Sequence, residues 1–135
     1  MKLNQTIAYA VAATSYVAGL PAGSLANNSV ICQAAKLPER YVLQILRKLV
    51  NAGVLVSVRG VAGGYKLAKP ANKTTLLEIV EAVDGPINQG ERVDLPVMSA
   101  KAAAGMVSAF AAIESDARKR LAAVTLASLR FSEAA

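Results

Sequence analysis

At 135 residues, with 54% apolar and only 18% charged side chains, the chain can bury a core and is not disordered. It has no His, no Trp and one Cys, Cys32. That excludes an intrachain disulfide, a His general base, and a zinc or iron–sulfur site built from several Cys or His ligands. The net charge of +6 is uneven: residues 1–70 carry eight cations and one acid, Glu39, for +7, and residues 71–135 carry seven cations and eight acids, for −1. Such asymmetry suits a polyanionic partner, nucleic acid or anionic membrane, for the first half. Taken alone it describes a solvated basic face equally well.

In chain order, Leu3, Ile7, Ala10, Val11, Thr14 and Val17 recur at helical spacing and predict an amphipathic first helix from Leu3 to Ala18, stopped by Gly19 and Pro21. Asn4, Gln5, Thr6, Thr14 and Ser15 interrupt the apolar run, which reads as a helix rather than a cleaved signal. No run reaches the ~18 apolar residues of a spanning helix. Ser29 is the expected N-cap of a short second helix, Val30 to Lys36. A third helix follows a three-residue break, from Glu39 to Asn51 or Ala52, with Gly53 as its stop. Val54–Val58 reads as a strand, Gly60–Gly64 as a turn, and Tyr65–Ala68 as a returning strand ended by Pro70. Thr75 and Glu78 form a capping-box pattern for a fourth helix through Asp84. A loop then precedes a long Ala-rich helix from Val97 to about Val124, with Val107, Phe110, Ile113 or Glu114, Ala117, Leu121 and Val124 on one side. A short tail, "TLASLRF", closes the chain.

Two short, tightly joined helices and a two-stranded hairpin make a winged helix-turn-helix, with the third helix as reader. Stepping ~100° per residue from Val42 groups Ile45, Leu46 and Leu49 on one buried stripe. Arg40, Gln44, Arg47 and Asn51 fall near the opposite pole, with Leu43 and Lys48 on the shoulders. That outer face holds two guanidiniums, two amides and no acid. Arg can grip guanine O6/N7 or phosphate, and Gln or Asn can pair with adenine N6/N7. Glu39 suits the positive end of the helix dipole.

The glycines Gly60, Gly63 and Gly64 are followed by neither Lys-Ser/Thr nor a helix, so they make no phosphate-binding loop of the nucleotide type. They read as a wing tip, allowing positive φ and close approach to a DNA backbone. Arg59 stands at its base for a minor groove, and Lys66 and Lys69 for phosphates. An ordinary hairpin turn accounts for the glycines as well. Cys32 reads as a small buried apolar residue, or as a thiol switch if Lys36 lowers its pKa.

"LPERYVLQILRKLVNAGVLVSVRGVAGGYKLAKP", followed by "TLLEIVEAVDGPI", resembles the bacterial Rrf family of transcription regulators. The motifs that carry it are R-G-x-x-G-G-Y-x-L-A and I-x-x-A-x-x-G-P, and the likeness runs nearly the whole chain. The resemblance implies a homodimeric DNA-binding regulator whose long C-terminal helix forms the dimer interface through the stripe from Val107 to Val124. It implies Arg40, Tyr41 and Gln44 in the major groove and Arg59 at the minor groove. Where members commonly have an acid after the Tyr-hydrophobic pair, this chain has Leu43. Sensing members carry three Cys between the fourth helix and the dimer helix, whereas Gly85–Ala104 has none, so the chain looks like the cluster-free branch.

The expected fold is therefore mainly α: a winged helix-turn-helix with a two-stranded wing and a long C-terminal dimerisation helix. Residues 1–84 form the DNA-binding domain, and residues 85–135 the effector loop, dimer helix and tail. The expected function is a cytoplasmic transcription regulator, a repressor, binding a pseudo-palindromic site of double-stranded DNA as a homodimer. It needs no cofactor, metal or membrane and answers to an effector protein or a small molecule. The DNA-binding residues are Ser29, Arg40, Tyr41, Gln44, Arg47, Lys48, Asn51, Arg59, Gly60, Gly63, Gly64 and Lys66. Two alternatives stand beside it: a winged-helix module docking on a metabolic enzyme, and a Cys32 redox sensor. An enzyme is the poorest reading, since no His, paired carboxylates or poised nucleophile is present.

Overall fold

The computed structural model describes residues 2–87 and 94–133. Its elements run α1 (Gln5–Ala18), α2 (Asn28–Ala35), α3 (Glu39–Asn51), β1 (Leu55–Val58), β2 (Gly64–Leu67), a 3-10 turn (Ala71–Lys73), α4 (Leu76–Asp84), α5 (Ala100–Ala122) and α6 (Leu126–Glu133). α1 is the central element: α2, α3, α4, α6 and β2 all pack against it. Its inward face is Ile7, Ala10, Ala13, Thr14 and Val17. Three of these are small or short, which lets the surrounding helices approach closely. Buried Thr14 costs little, because its hydroxyl donates to the carbonyls of Ala10 (2.9 Å) and Val11 (3.1 Å). Leu3 lies outside this face and is exposed.

The second helix begins earlier than the sequence predicts. Asn27, not Ser29, is its N-cap: the Asn27 Oδ1 accepts from the Val30 N–H at 2.9 Å. Asn and Ser are comparable caps, and three consecutive capping residues left the choice open to packing. Lys36 is outside the helix, in the left-handed region at φ 55°, where it turns the chain toward α3. Ile31 and Cys32 of α2 and Val42, Ile45, Leu46 and Leu49 of α3 are all buried. This is the stripe that the wheel of α3 predicts.

β1 and β2 pair antiparallel, with Leu55 opposite Leu67, Val56 opposite Lys66, Ser57 opposite Tyr65 and Val58 opposite Gly64. Ala26 adds a bridge to Tyr65, exchanging hydrogen bonds of 2.8 and 3.3 Å, and ties the wing to the segment entering α2. Thr75 caps α4, and its backbone N–H in turn donates to Glu78 Oε2 at 2.8 Å, completing the expected capping box. Burial alone would raise the Glu78 pKa. The hydrogen bond from Lys69 and those from Thr75 outweigh it and hold the carboxyl below its ordinary value of 4.5.

The tail is the main departure from the sequence reading. Residues 126–133 form α6, and Leu126 is fully buried in the core of the winged domain. Thr125 and Ser128 cap it reciprocally, each side chain accepting from the other's backbone N–H at 3.1 Å. Backbone bonds from Leu126 N–H to Thr74 (3.0 Å) and from Leu76 N–H to Val124 (2.8 Å) fasten it beside the start of α4. Between the two parts, the Glu81 carboxylate accepts from Arg118 of α5 at 2.6 Å and from the Ile87 N–H at 3.0 Å. Residues 88–93 of the expected effector loop lie outside the described residues.

Candidate nucleic-acid interface

The outer face of α3 is set by its inner one. With Val42, Ile45, Leu46 and Leu49 seated in the core, helical geometry turns Arg40, Gln44, Arg47 and Asn51 to solvent. Tyr41 and Lys48 are exposed as well. Pro38 opens the helix without a side-chain cap, so Glu39 in the first turn is the acid that meets the helix dipole there.

Two neighbours flank this face. On one side Tyr41, Gln44 and Lys48 share a cleft with Gln5, Thr6 and Tyr9 of α1. On the other, Arg47 and Asn51 share a cleft with Ser57, Arg59 and Tyr65 of the wing. The structure thus brings Arg59 beside the reading helix. Arg40, Arg47, Lys48 and Arg59 form no ion pair within the described chain. Cations left without acids on adjoining surfaces suit an external anion. Gln5, Thr6 and Ser57 are polar residues at this surface that the sequence reading passed over. Gln5 and Thr6 lie on the solvent side of an amphipathic helix, and Ser57 is set by strand alternation, so both were within reach of the pattern.

The lysines of the wing behave differently. Lys66, opposite Val56, points to the other face of the hairpin and lines a hollow with Pro21, Gly23 and Ser24. It is exposed but does not converge with Arg59. Lys69 pairs with Glu78 and serves the capping of α4, so it is not a free phosphate contact. Ser29 is exposed in the first turn of α2.

The glycines also divide. Gly60 has φ +122°, the positive value expected at a wing turn. Gly63 and Gly64 do not. A Cβ at Gly63 would stand 2.1 Å from the Val58 carbonyl oxygen, and one at Gly64 2.6 Å from the Ala26 carbonyl carbon. Their close approach is to the chain's own backbone. Gly64 is itself buried.

Cys32 is only 3% exposed. Burial first, and Glu39 second, push its thiol above the ordinary value of 9.0, the opposite of the lowering by Lys36 that a switch requires. Of the expected dimer stripe, Val107 (56%), Phe110 (63%) and Ile113 (65%) are exposed, whereas Ala117, Leu121 and Val124 are half-buried.

Comparison with known proteins identifies the family and the fold. The family model Rrf2, described as iron-dependent transcriptional regulator, matches residues 3–130. A Mycobacterium tuberculosis protein named as an HTH-type transcriptional regulator is 26% identical over 130 residues, 94% of this chain and 80% of that one. The solved structure of CymR, the global cysteine regulator of B. subtilis, superposes with a TM-score of 0.73 at 25% identity, covering 96% of this chain and 95% of that one. IscR of T. potens shares the fold at 22% identity and a TM-score of 0.68, covering 98% and 88%. The described residues do not fit an iron or iron–sulfur centre. The one Cys is buried in α2, His is absent, and no three of Cys, Asp and Glu gather among the described residues. The match spans nearly the whole sequence, and the winged helix-turn-helix is the fold of these relatives: the chain belongs to the Rrf2 family of transcriptional regulators.

Proposed function

We propose that the protein is a sequence-specific DNA-binding repressor that acts as a homodimer in the bacterial cytoplasm. The observation that carries this reading is the outer face of α3, with Arg40, Gln44, Arg47 and Asn51 exposed opposite a fully buried stripe and free of acids. Arg40, Tyr41 and Gln44 meet base edges in the major groove. Arg47, Lys48 and Asn51 hold the flanking phosphates, and Arg59 enters the adjacent minor groove. Lys66 and Ser29, set apart from this cluster, touch backbone at the margins. A second copy places the same surface on the other half of a pseudo-palindromic operator. Because the side chains do not build an iron centre, the signal is an effector protein or a small molecule.

Selection of bound fragments from genomic DNA tests this directly, run with and without oxidant and candidate metabolites. The expected outcome is an enriched inverted repeat with half-site centres ~34–36 Å apart or a multiple of it. Enrichment of no common sequence would contradict sequence-specific binding.

A further inference from the structure

The tip of the wing carries a side chain that the interface described above does not use. Of the described large apolar residues, Leu3, Val61 and Val97 are the most exposed. Leu3 and Val97 stand outside the regular elements, ahead of α1 and α5. Val61 stands in a closed turn: the Gly63 N–H donates to the Gly60 carbonyl at 3.0 Å, with Val61 and Ala62 between them. The turn is also folded down on the residues that lead into it. Gly63 lies so close to the Val58 carbonyl oxygen and the Arg59 carbonyl carbon that a Cβ there would overlap both, at 2.1 and 2.9 Å. Arg59 and Val61 are thus held in one short, stiff unit.

Val61 breaks two local rules at once. Turn positions favour Gly, Pro, Asn, Asp and Ser, which fit the backbone or bond to it. A β-branched residue gains nothing there, and Val61 has no part in the core cluster. Single exposed apolar residues are common on protein surfaces. One that stands on a stiff tip, against the local preference, points to a partner outside the chain.

The surroundings define the chemistry of that partner. No acid occurs between Glu39 and Glu78, so the wing, and all of α3 beyond its first residue, carries only positive charge. Arg59 opens on the cleft it shares with Arg47 and Asn51 of α3. Val61 follows Arg59 by two residues, ~7 Å of chain when fully extended. The minor groove of B-DNA is ~6 Å wide and ~7.5 Å deep, so an Arg59 that reaches base edges brings Val61 between the walls. Those walls are deoxyribose, the least polar part of the DNA backbone, and Val is too short to reach past them. We propose that Val61 packs against the deoxyribose wall of the minor groove that Arg59 enters, and that this contact makes the wing select a narrow groove. In a narrow groove both walls come within contact of one side chain, and in a wide groove only one does. Arg59 supplies the charge drawn to such grooves, and Val61 adds an apolar contact that carries none. The contact rests on the DNA-binding reading above and adds a residue that reads shape.

The test uses the full chain and duplexes of the selected operator. Hydroxyl-radical footprints of wild type and Arg59→Ala first locate the sugars that the wing covers. Those base pairs are then exchanged for an A-tract, whose minor groove is narrow, or for a G·C run, with the bases facing α3 unchanged. Val61→Ser alters a side chain that is exposed in the free protein, and is expected to keep the wild-type thermal melt. It should lose about fivefold in affinity on the A-tract duplex, the worth of partly burying one Val side chain, and little on the G·C duplex. Its salt slope should stay that of wild type, whereas Arg59→Ala should lower the slope by about 1. Val61→Ile should bind as wild type does. The ways of failing are distinct. Wild type with no salt-dependent binding to either duplex overturns the DNA reading and the contact together. Wild type that binds, with Val61→Ser equal to it on both duplexes or weakened equally on both, overturns the contact alone. So does an altered salt slope in Val61→Ser, which would mean rearranged charge rather than lost apolar surface. An Arg59→Ala footprint identical to that of wild type also overturns it, since the wing then enters no groove.

Discussion

Single basic side chains in this protein divide by whether an acid of the chain meets them. Arg47 and Arg59 share an acid-free cleft, so their charges remain available to a ligand. Lys69, equally basic in the sequence, is consumed by Glu78 at the start of α4. Glycine spacing misleads in the same way. The G-x-x-G-G pattern looks like one device, yet only Gly60 needs its positive φ, while Gly63 and Gly64 clear backbone atoms of the chain itself. Gly64→Ala is therefore expected to destabilise the fold by about 1–3 kcal/mol, because overpacking against the Ala26 backbone forces the wing bridge to shift. Urea unfolding followed by circular dichroism measures this. A Gly64→Ala protein as stable as wild type would mean that the wing bridge is not a tight contact. Cys32, with its thiol pKa raised by burial, is a core residue and a poor thiolate.

At the scale of elements, what repeats in the sequence was legible and what depends on distant partners was not. The 3.6-residue period of α3 gives its buried and outer faces together, since one fixes the other. The Thr-x-x-Glu pattern marks the start of α4, and its side chains do what the pattern implies. The same logic starts α6, where Thr125 and Ser128 cap each other, but Ser in place of Glu weakens the signal, and eight residues are too short to show a period. Its burial comes from Thr74 and α1, fifty and more residues away, which no local pattern contains. The cap of α4 also has a pH signature. The Glu78 pKa is lowered in the folded state, so its contribution is present above the unfolded value near 4.5 and is lost as pH falls through the lower folded value. Thermal melts between pH 3 and 7 should show part of the acid sensitivity removed by Lys69→Ala, which deletes one cause of the lowering. Identical pH profiles for wild type and Lys69→Ala would mean that the pair contributes nothing.

Over the whole molecule, the positive charge of the first 70 residues and the apolar stripe of α5 belong to different tasks. The first faces outward from a core built on α1, and among the described residues no helix is long and apolar enough to cross a membrane. The second half of the chain both completes that core, through Leu126, and leaves Val107, Phe110 and Ile113 of α5 exposed. The two tasks can therefore be separated by mutation. The most direct measurement of the central claim is fluorescence anisotropy of a selected operator titrated with wild type, Arg47→Ala and Gln44→Ala across salt concentrations. Wild-type affinity should fall steeply and linearly in a log–log plot, and Arg47→Ala should reduce that slope by about 1 while weakening all sequences alike. Gln44→Ala should instead lose ~1–3 kcal/mol of discrimination at one base pair and keep the slope. Binding that is independent of salt, or unchanged in both variants, would contradict the assignment of this face to DNA.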